Sequence, residues 1–153
     1  MILFWSTIII LNLAAILIPK TLPGWQLYAT SIFAVMFQLT VDDYLDIKLD
    51  LYGYFNKGVD LLGIVYEYGI FPAVSILFLT GWVWVARKGL LFKAGYLVVC
   101  TLLATTYEFC ALKSSFFYYN GWKLWYSAFQ YPLLFLILVS NLRILQWLYR
   151  KSL

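Results

Sequence analysis

Five long apolar stretches fill most of this sequence and limit what it can fold into. A helix needs roughly 20 apolar residues to cross a bilayer core about 30 Å thick. These stretches are continuous, whereas the strands of a membrane barrel alternate between apolar and polar residues. They predict an all-α fold, a polytopic transmembrane helical bundle of about five spans that forms one integral membrane domain over residues 1–153. The predicted spans are residues 2–18, 25–41, 61–86, 90–112 and 124–148.

Composition supports this fold class, because 64% of the residues are hydrophobic and only 12% are charged. Both values lie far from those of water-soluble domains. The first stretch has the length of a signal peptide, but no basic region precedes it and no small-residue cleavage pattern follows it. We therefore expect it to stay in the protein as a helix. Two prolines and a glycine in residues 19–24 then predict a turn into the second span.

An acidic segment separates the second and third spans. Residues 42–60 hold five of the seven acidic residues, between apolar positions. This mixture predicts a segment on the membrane surface, with at least two helical turns between Asp42 and Tyr54. Asp42, Asp46 and Asp50 recur every four residues, which indicates a solvated stripe. An EF-hand is excluded, because the twelfth position counted from Asp42 is Gly53 and a glutamate is required there.

The distribution of basic residues predicts the orientation, because Lys and Arg near span ends are retained in the cytoplasm. One side of the predicted bundle collects six of them and the other side four. We therefore expect a multi-pass protein of the cell membrane with its N-terminus outside and its C-terminus in the cytoplasm. The six are Lys20, Arg87, Lys88, Lys93, Arg150 and Lys151, and the four are Lys48, Lys57, Lys113 and Lys123.

Several kinds of chemistry lack their usual residues in this sequence. There is no histidine, the commonest general base and a frequent ligand of transition metals. The glycines are scattered singly, so no phosphate-binding loop is present. No basic aromatic patch indicates nucleic acid. We therefore expect no metal, no cofactor and no nucleic-acid partner.

Two glutamates inside the apolar stretches are the most informative residues. Glu67 lies in the third span and Glu108 in the fourth, at similar depths from the same side. An ionisable group there costs several kcal/mol, which makes it a candidate functional residue. We predict that both line one cavity and, since two close carboxylates cannot both ionise cheaply, share a proton, a cation or a lysine such as Lys113. Alternatively, both glutamates are structural and hold helices together through hydrogen bonds that average about 0.6 kcal/mol.

Further polar and aromatic residues flank the same ends of the predicted spans. Together with the two glutamates they form the predicted binding cluster, which should lie at the outer membrane surface. Its residues are Glu67, Glu108, Asp42, Asp46, Lys113, Tyr119, Asn120, Trp122, Lys123 and Tyr126.

Four motifs in the sequence resemble those of one family. They are Val-Asp-Asp-Tyr-Leu-Asp at 41–46, Tyr-Glu-Tyr-Gly-Ile-Phe-Pro at 66–72, Tyr-Glu at 107–108 and Tyr-Asn-Gly-Trp-Lys-Leu-Trp-Tyr-Ser at 119–127. The family consists of small, uncharacterised polytopic membrane proteins that occur mainly in spore-forming Firmicutes. The resemblance implies a bacterial cytoplasmic membrane protein, and it implies no established activity or cofactor.

Three classes of function fit these features. The leading hypothesis is a nonenzymatic membrane protein that binds a partner protein, a lipid or an ion through the outer cluster. The second is a lipid or isoprenoid enzyme that uses Glu67 and Glu108 as acid–base groups, although the Pro-x-Glu-Glu pattern of the short lycopene cyclases is absent. The third is a proton or cation transporter or channel subunit, for which five spans would require a homo-oligomer.

Overall fold

The computed structural model describes residues 1–57, 61–114 and 116–152. These residues form five helices, each of which begins and ends within one turn of a predicted apolar stretch. The continuous apolar stretches of the sequence therefore predicted the positions of the helices correctly. Their bounds are α1 Ile2–Leu17, α2 Gly24–Asp42, α3 Leu61–Ala86, α4 Leu90–Lys113 and α5 Leu124–Lys151.

Three of these helices, α3, α4 and α5, are long and apolar enough to cross a membrane. Helix α1 is apolar but shorter, and α2 carries buried Gln26, Thr30 and Ser31 among its apolar residues. The all-α fold of the prediction is confirmed, and the described helices are those of a membrane protein. The number of crossings stays a prediction.

Helix α3 is the centre of the bundle, because it packs against every other helix. Its C-terminal half contributes Phe78, Leu79 and Trp82 to a core shared with α2 and α5. Its N-terminal half contributes Tyr66 and Ile70 to a second core, which contains α1 and the end of α4. Asn12 of α1 also donates a 2.7 Å hydrogen bond to the Gly69 carbonyl of α3. Buried residues of α3 thus join both ends of the bundle.

A small sheet replaces part of the predicted surface helix. Helix α2 continues into a single π-helical segment, Asp43–Lys48. The chain then forms β1, Tyr52–Tyr54, which pairs antiparallel with β2, Phe117–Tyr119. The prediction of at least two helical turns between Asp42 and Tyr54 is therefore wrong.

The pairing of the two strands explains this difference. A surface segment needs a helix only if its backbone must satisfy its own hydrogen bonds, and here β2 supplies partners for β1. Aromatic contacts reinforce the pairing: the Phe117 ring lies 5.6 Å from Tyr52 and 5.2 Å from Tyr54, between ring centroids. Such cross-strand aromatic pairs stabilise a sheet by roughly 0.2–1 kcal/mol each.

The contact between α3 and α4 provides a test of the helix packing. A methyl group at Gly81 would overlap the Tyr96 hydroxyl oxygen and displace its hydrogen bond to the Phe78 carbonyl. We expect Gly81→Ala to lower the free energy of unfolding by about 1–3 kcal/mol, the usual cost of overpacking. Thermal unfolding in detergent measures this change.

The matched control is Gly95→Ala, because a methyl group at Gly95 meets no atom within 4 Å. Alanine is the better helix former by roughly 0.5–1 kcal/mol, so this variant should be neutral or more stable. Equal destabilisation by both substitutions would contradict the described packing of Tyr96 against Gly81.

Candidate binding site

Two carboxyl groups lie side by side where α2 ends and α3 begins. Asp42, the last residue of α2, is 4% exposed, and Glu67 of α3 is 7% exposed. The two groups are within hydrogen-bonding reach of each other. A carboxyl group can donate to another only when it carries a proton. This pair therefore requires a shared proton or a cation between its two members.

The two oxygens of Asp42 have different environments. Oδ1 accepts hydrogen bonds from the Tyr52 hydroxyl group and from Gln38 Nε2, the latter at 3.2 Å. Oδ2 is buried and receives no hydrogen bond from a hydroxyl, amide or ammonium donor of the described residues. A buried acceptor without a donor costs about 1–3 kcal/mol, and more when it is charged. Two donors thus hold one side of Asp42 in place, whereas a protonated Glu67 is the remaining candidate donor for the other side.

Asp42 and Glu67 line a cleft of about 340 Å³ between α2 and α3, which we call the acidic cleft. Asp43 and Asp46 of the π-helical segment also line it. No basic residue is found among the described residues that line it. Its remaining walls are apolar or aromatic and consist of Leu39, Ile47, Tyr54, Gly63, Ile64 and Tyr68.

Asp46 makes the charge of the acidic cleft depend on pH. Its partial burial, together with the negative charges of Asp50 and Asp43, raises the pKa of Asp46 to about 6. Its charge therefore changes just below neutral pH. Burial and the neighbouring Asp42 charge also raise the pKa of Tyr52, so its hydroxyl group remains a donor to Asp42 at neutral pH.

Glu108 has a different environment from Glu67. Its carboxylate accepts hydrogen bonds from Tyr119 at 2.5 Å, from Ser127 at 2.7 Å and from Tyr131 at 2.6 Å. Only 7% of Glu108 is exposed. Burial and the contact with Glu108 raise the pKa of Tyr119, which keeps that hydroxyl group protonated. Three donors thus satisfy the carboxylate and tie α4 to β2 and α5.

The small sheet connects the two carboxylate sites. Tyr52 and Tyr119 are cross-strand partners, and Tyr52 donates to Asp42 while Tyr119 donates to Glu108. Glu108 is not among the described residues that line the acidic cleft. The two glutamates therefore do not face each other across it, contrary to the prediction of one shared cavity.

The other predicted cluster residues lie around these two sites. The Trp122 indole nitrogen donates to Ser127 at 2.7 Å, and the Trp122 ring packs 5.2 Å from Tyr126. Asn120 donates to the Asp50 carboxylate at 2.9 Å, outside the acidic cleft.

The Lys113 ammonium group lies 5.4 Å from the Phe109 ring centroid. The one ion pair among the described residues joins Lys57 to Asp50, so Lys113 is not the predicted carboxylate partner.

Lys123 precedes α5 at the exposed surface, where its carbonyl accepts a 2.8 Å hydrogen bond from the Tyr126 amide. The sequence-based candidates omitted Tyr52, Ser127 and Tyr131. Ser127 and Tyr131 are four residues apart, so a polar stripe on one face of α5 was available as a signal. No comparable pattern marked Tyr52, whose role depends on the sheet.

These features define a small helical membrane protein with a buried acidic pair at one end of its bundle. Comparisons with protein-family models, with curated proteins and with solved structures found no match.

The hydrogen bonds to Glu108 predict the effect of removing one donor. Tyr131→Phe leaves one carboxylate oxygen without its hydroxyl donor, and hydrogen bonds to charged groups contribute about 1.5–3 kcal/mol. We expect the free energy of unfolding to fall by that amount, measured by thermal unfolding in detergent. Tyr126→Phe on the same helix is the control, because the Tyr126 hydroxyl group has no hydrogen bond with the described residues. Similar losses in both variants would argue against a structural role for Glu108.

Proposed function

We propose that this is a nonenzymatic membrane protein that binds a cationic ligand through the acidic cleft. The observation that carries the proposal is the buried Oδ2 of Asp42, which has no donor among the described hydroxyl, amide and ammonium groups and lies beside a second buried carboxyl group. A bound cation would interact with both carboxylates and reduce their mutual repulsion. The sequence left three ligand classes open: a partner protein, a lipid or an ion. The carboxyl pair favours a ligand that carries positive charge.

The surroundings of the carboxyl pair support a cation over an anion. Asp43 and Asp46 add negative charge at the same cleft, and no lysine or arginine is found among its described lining residues. Charges interact more strongly near a protein surface than in bulk water, because the effective dielectric constant is lower. An anion would meet repulsion from several carboxylates without a compensating partner.

A second candidate, a proton or cation transporter subunit, has an observation of its own. Ser31 of α2, Ser75 and Thr80 of α3 and Asn141 of α5 each have a buried polar atom without a partner among the described residues. Buried polar groups of this kind usually bind water. Hydration along these helices would allow ions to move beyond the acidic cleft. Ion flux into proteoliposomes that disappears in Glu67→Gln would favour this candidate.

We further propose that the acidic cleft faces the outside of a bacterial cytoplasmic membrane. The six basic residues on one side against four on the other support a cytoplasmic C-terminus. The end of the bundle that carries the cleft then lies outside, together with β2 and Asn120.

Labelling of single cysteines on intact cells tests this orientation in a Cys100→Ser, Cys110→Ser background. A membrane-impermeant reagent should label a cysteine at Asn120, because that residue is exposed beside the sheet. It should not label one at Gly89, in the turn between α3 and α4, until the cells are opened. Labelling at Gly89 alone in intact cells would reverse the orientation.

The binding proposal predicts that small cations stabilise the protein through Asp42 and Glu67. The probes are ethylammonium chloride and potassium chloride, added at pH 7.5 to the protein in phosphatidylcholine nanodiscs. A ligand at a hundred times its dissociation constant stabilises the folded state by about 2.7 kcal/mol. We expect at least one probe to raise the unfolding temperature of the unmodified protein. Asp42→Asn and Glu67→Gln should each abolish the increase.

Asp50→Asn is the matched control, because Asp50 belongs to the same acidic segment but pairs with Lys57 and Asn120 outside the cleft. It should retain the full increase. The proposal would be overturned if the increase in unfolding temperature survived both cleft substitutions. It would also be overturned if neither probe raised the unfolding temperature of the unmodified protein.

A further inference from the structure

The second oxygen of Asp42, which no hydroxyl, amide or ammonium donor of the described residues reaches, restricts the kind of cation that fits the acidic cleft. Oδ2 is a buried acceptor, and Asp42 is only 4% exposed. A cation that replaces the proton shared with Glu67 must therefore supply a hydrogen-bond donor to this oxygen as well as positive charge. A primary ammonium group supplies three N–H donors in a compact, charged head. A quaternary ammonium group has the same charge but no donor.

The walls of the acidic cleft restrict what the ammonium group can be attached to. Ile64 and Tyr68 are one helical turn apart on α3, on either side of Glu67 in the sequence, and they are 37% and 57% exposed. Leu39 lines the opposite wall on α2. At the end of a membrane-spanning helix, exposed apolar side chains contact lipid chains. The cleft therefore combines acidic side chains with exposed apolar side chains.

The same residues disfavour a phospholipid head group. Asp42, Asp43, Asp46 and Glu67 would surround a phosphate attached next to the amine, and no described lining residue supplies a positive charge to bind it. The ring of Tyr54 adds an aromatic wall, which favours cations. These features fit an amphiphile whose only charge is positive.

We infer that the acidic cleft binds a primary alkylamine of the membrane, with its ammonium group between Asp42 and Glu67 and its chain between Leu39 and Ile64. This inference rests on the proposed function and specifies its ligand class. The ammonium group donates to Oδ2 of Asp42 and replaces the proton that the two carboxyl groups would otherwise share. The apolar chain remains in the lipid phase.

A set of matched amphiphiles tests each part of the inference. The probes are dodecylammonium, dodecyltrimethylammonium and dodecyl maltoside, which share one chain, and ethylammonium, which has the same head group on a short chain. Thermal unfolding in phosphatidylcholine nanodiscs at pH 7.5 reports binding. We expect dodecylammonium to bind at least roughly tenfold more tightly than ethylammonium, because each buried CH₂ group contributes to affinity. Dodecyltrimethylammonium and dodecyl maltoside should raise the unfolding temperature of the unmodified protein no more than that of the Asp42→Asn variant.

Two substitutions on α3 separate the contribution of the chain from that of the charge. Ile64→Ser should remove most of the difference in affinity between dodecylammonium and ethylammonium. Val65→Ser is the control, because Val65 is 38% exposed, close to the 37% of Ile64, and does not line the acidic cleft. It should keep that difference in affinity.

Each other outcome identifies the part that fails. If ethylammonium stabilises the protein through Asp42 and the dodecyl chain adds nothing, the cleft binds cations but the amphiphile is excluded. If dodecyltrimethylammonium binds as well as dodecylammonium, the requirement for a donor is wrong. If no amine or potassium ion stabilises the protein in an Asp42-dependent way, both the inference and the proposed function fall.

Discussion

The antiparallel pairing of β1 with β2 is the contact on which the rest of this end of the molecule depends. It places Tyr52 opposite Tyr119, and the hydroxyl group of each tyrosine donates to a different buried carboxylate. Neither hydrogen bond is formed between neighbours in the chain. Strands of three residues are too short to be stable alone in water. The bundle must therefore stabilise the sheet that positions its own carboxylates.

The two carboxylate sites show how similar side chains acquire different roles from their surroundings. Three hydroxyl groups satisfy Glu108, which joins three elements and has little capacity left to bind anything else. Glu67 instead lies beside another acidic group and lines an open cleft. The sequence predicted a similar membrane depth for both glutamates, so depth alone could not distinguish them. The number of hydrogen-bond donors near each carboxyl group distinguishes them.

Much of the fold was predictable, because continuous apolar stretches are a local property of the chain. The five helices and the unusual positions of Glu67 and Glu108 follow from hydropathy and from the cost of buried charge. The sheet could not be predicted in the same way. Residues 52–54 and 117–119 are far apart in the sequence, and their alternation is too short to indicate strands. The partner of Glu67 was missed for the same reason, since Asp42 reaches it only through the contact of α2 with α3.

The Tyr52–Tyr119 pair also has a thermodynamic consequence. Any change that moves Tyr52 relative to Asp42 acts on a strand whose partner holds Tyr119 against Glu108. Under the proposed function, occupancy of the acidic cleft and the packing of α4 against α5 would therefore be linked equilibria, and linkage between sites is reciprocal. A change that separates α4 from α5 would then alter the affinity of the acidic cleft, although Glu108 does not line it. Binding of a ligand in the cleft would in turn change how firmly α4 and α5 are held together.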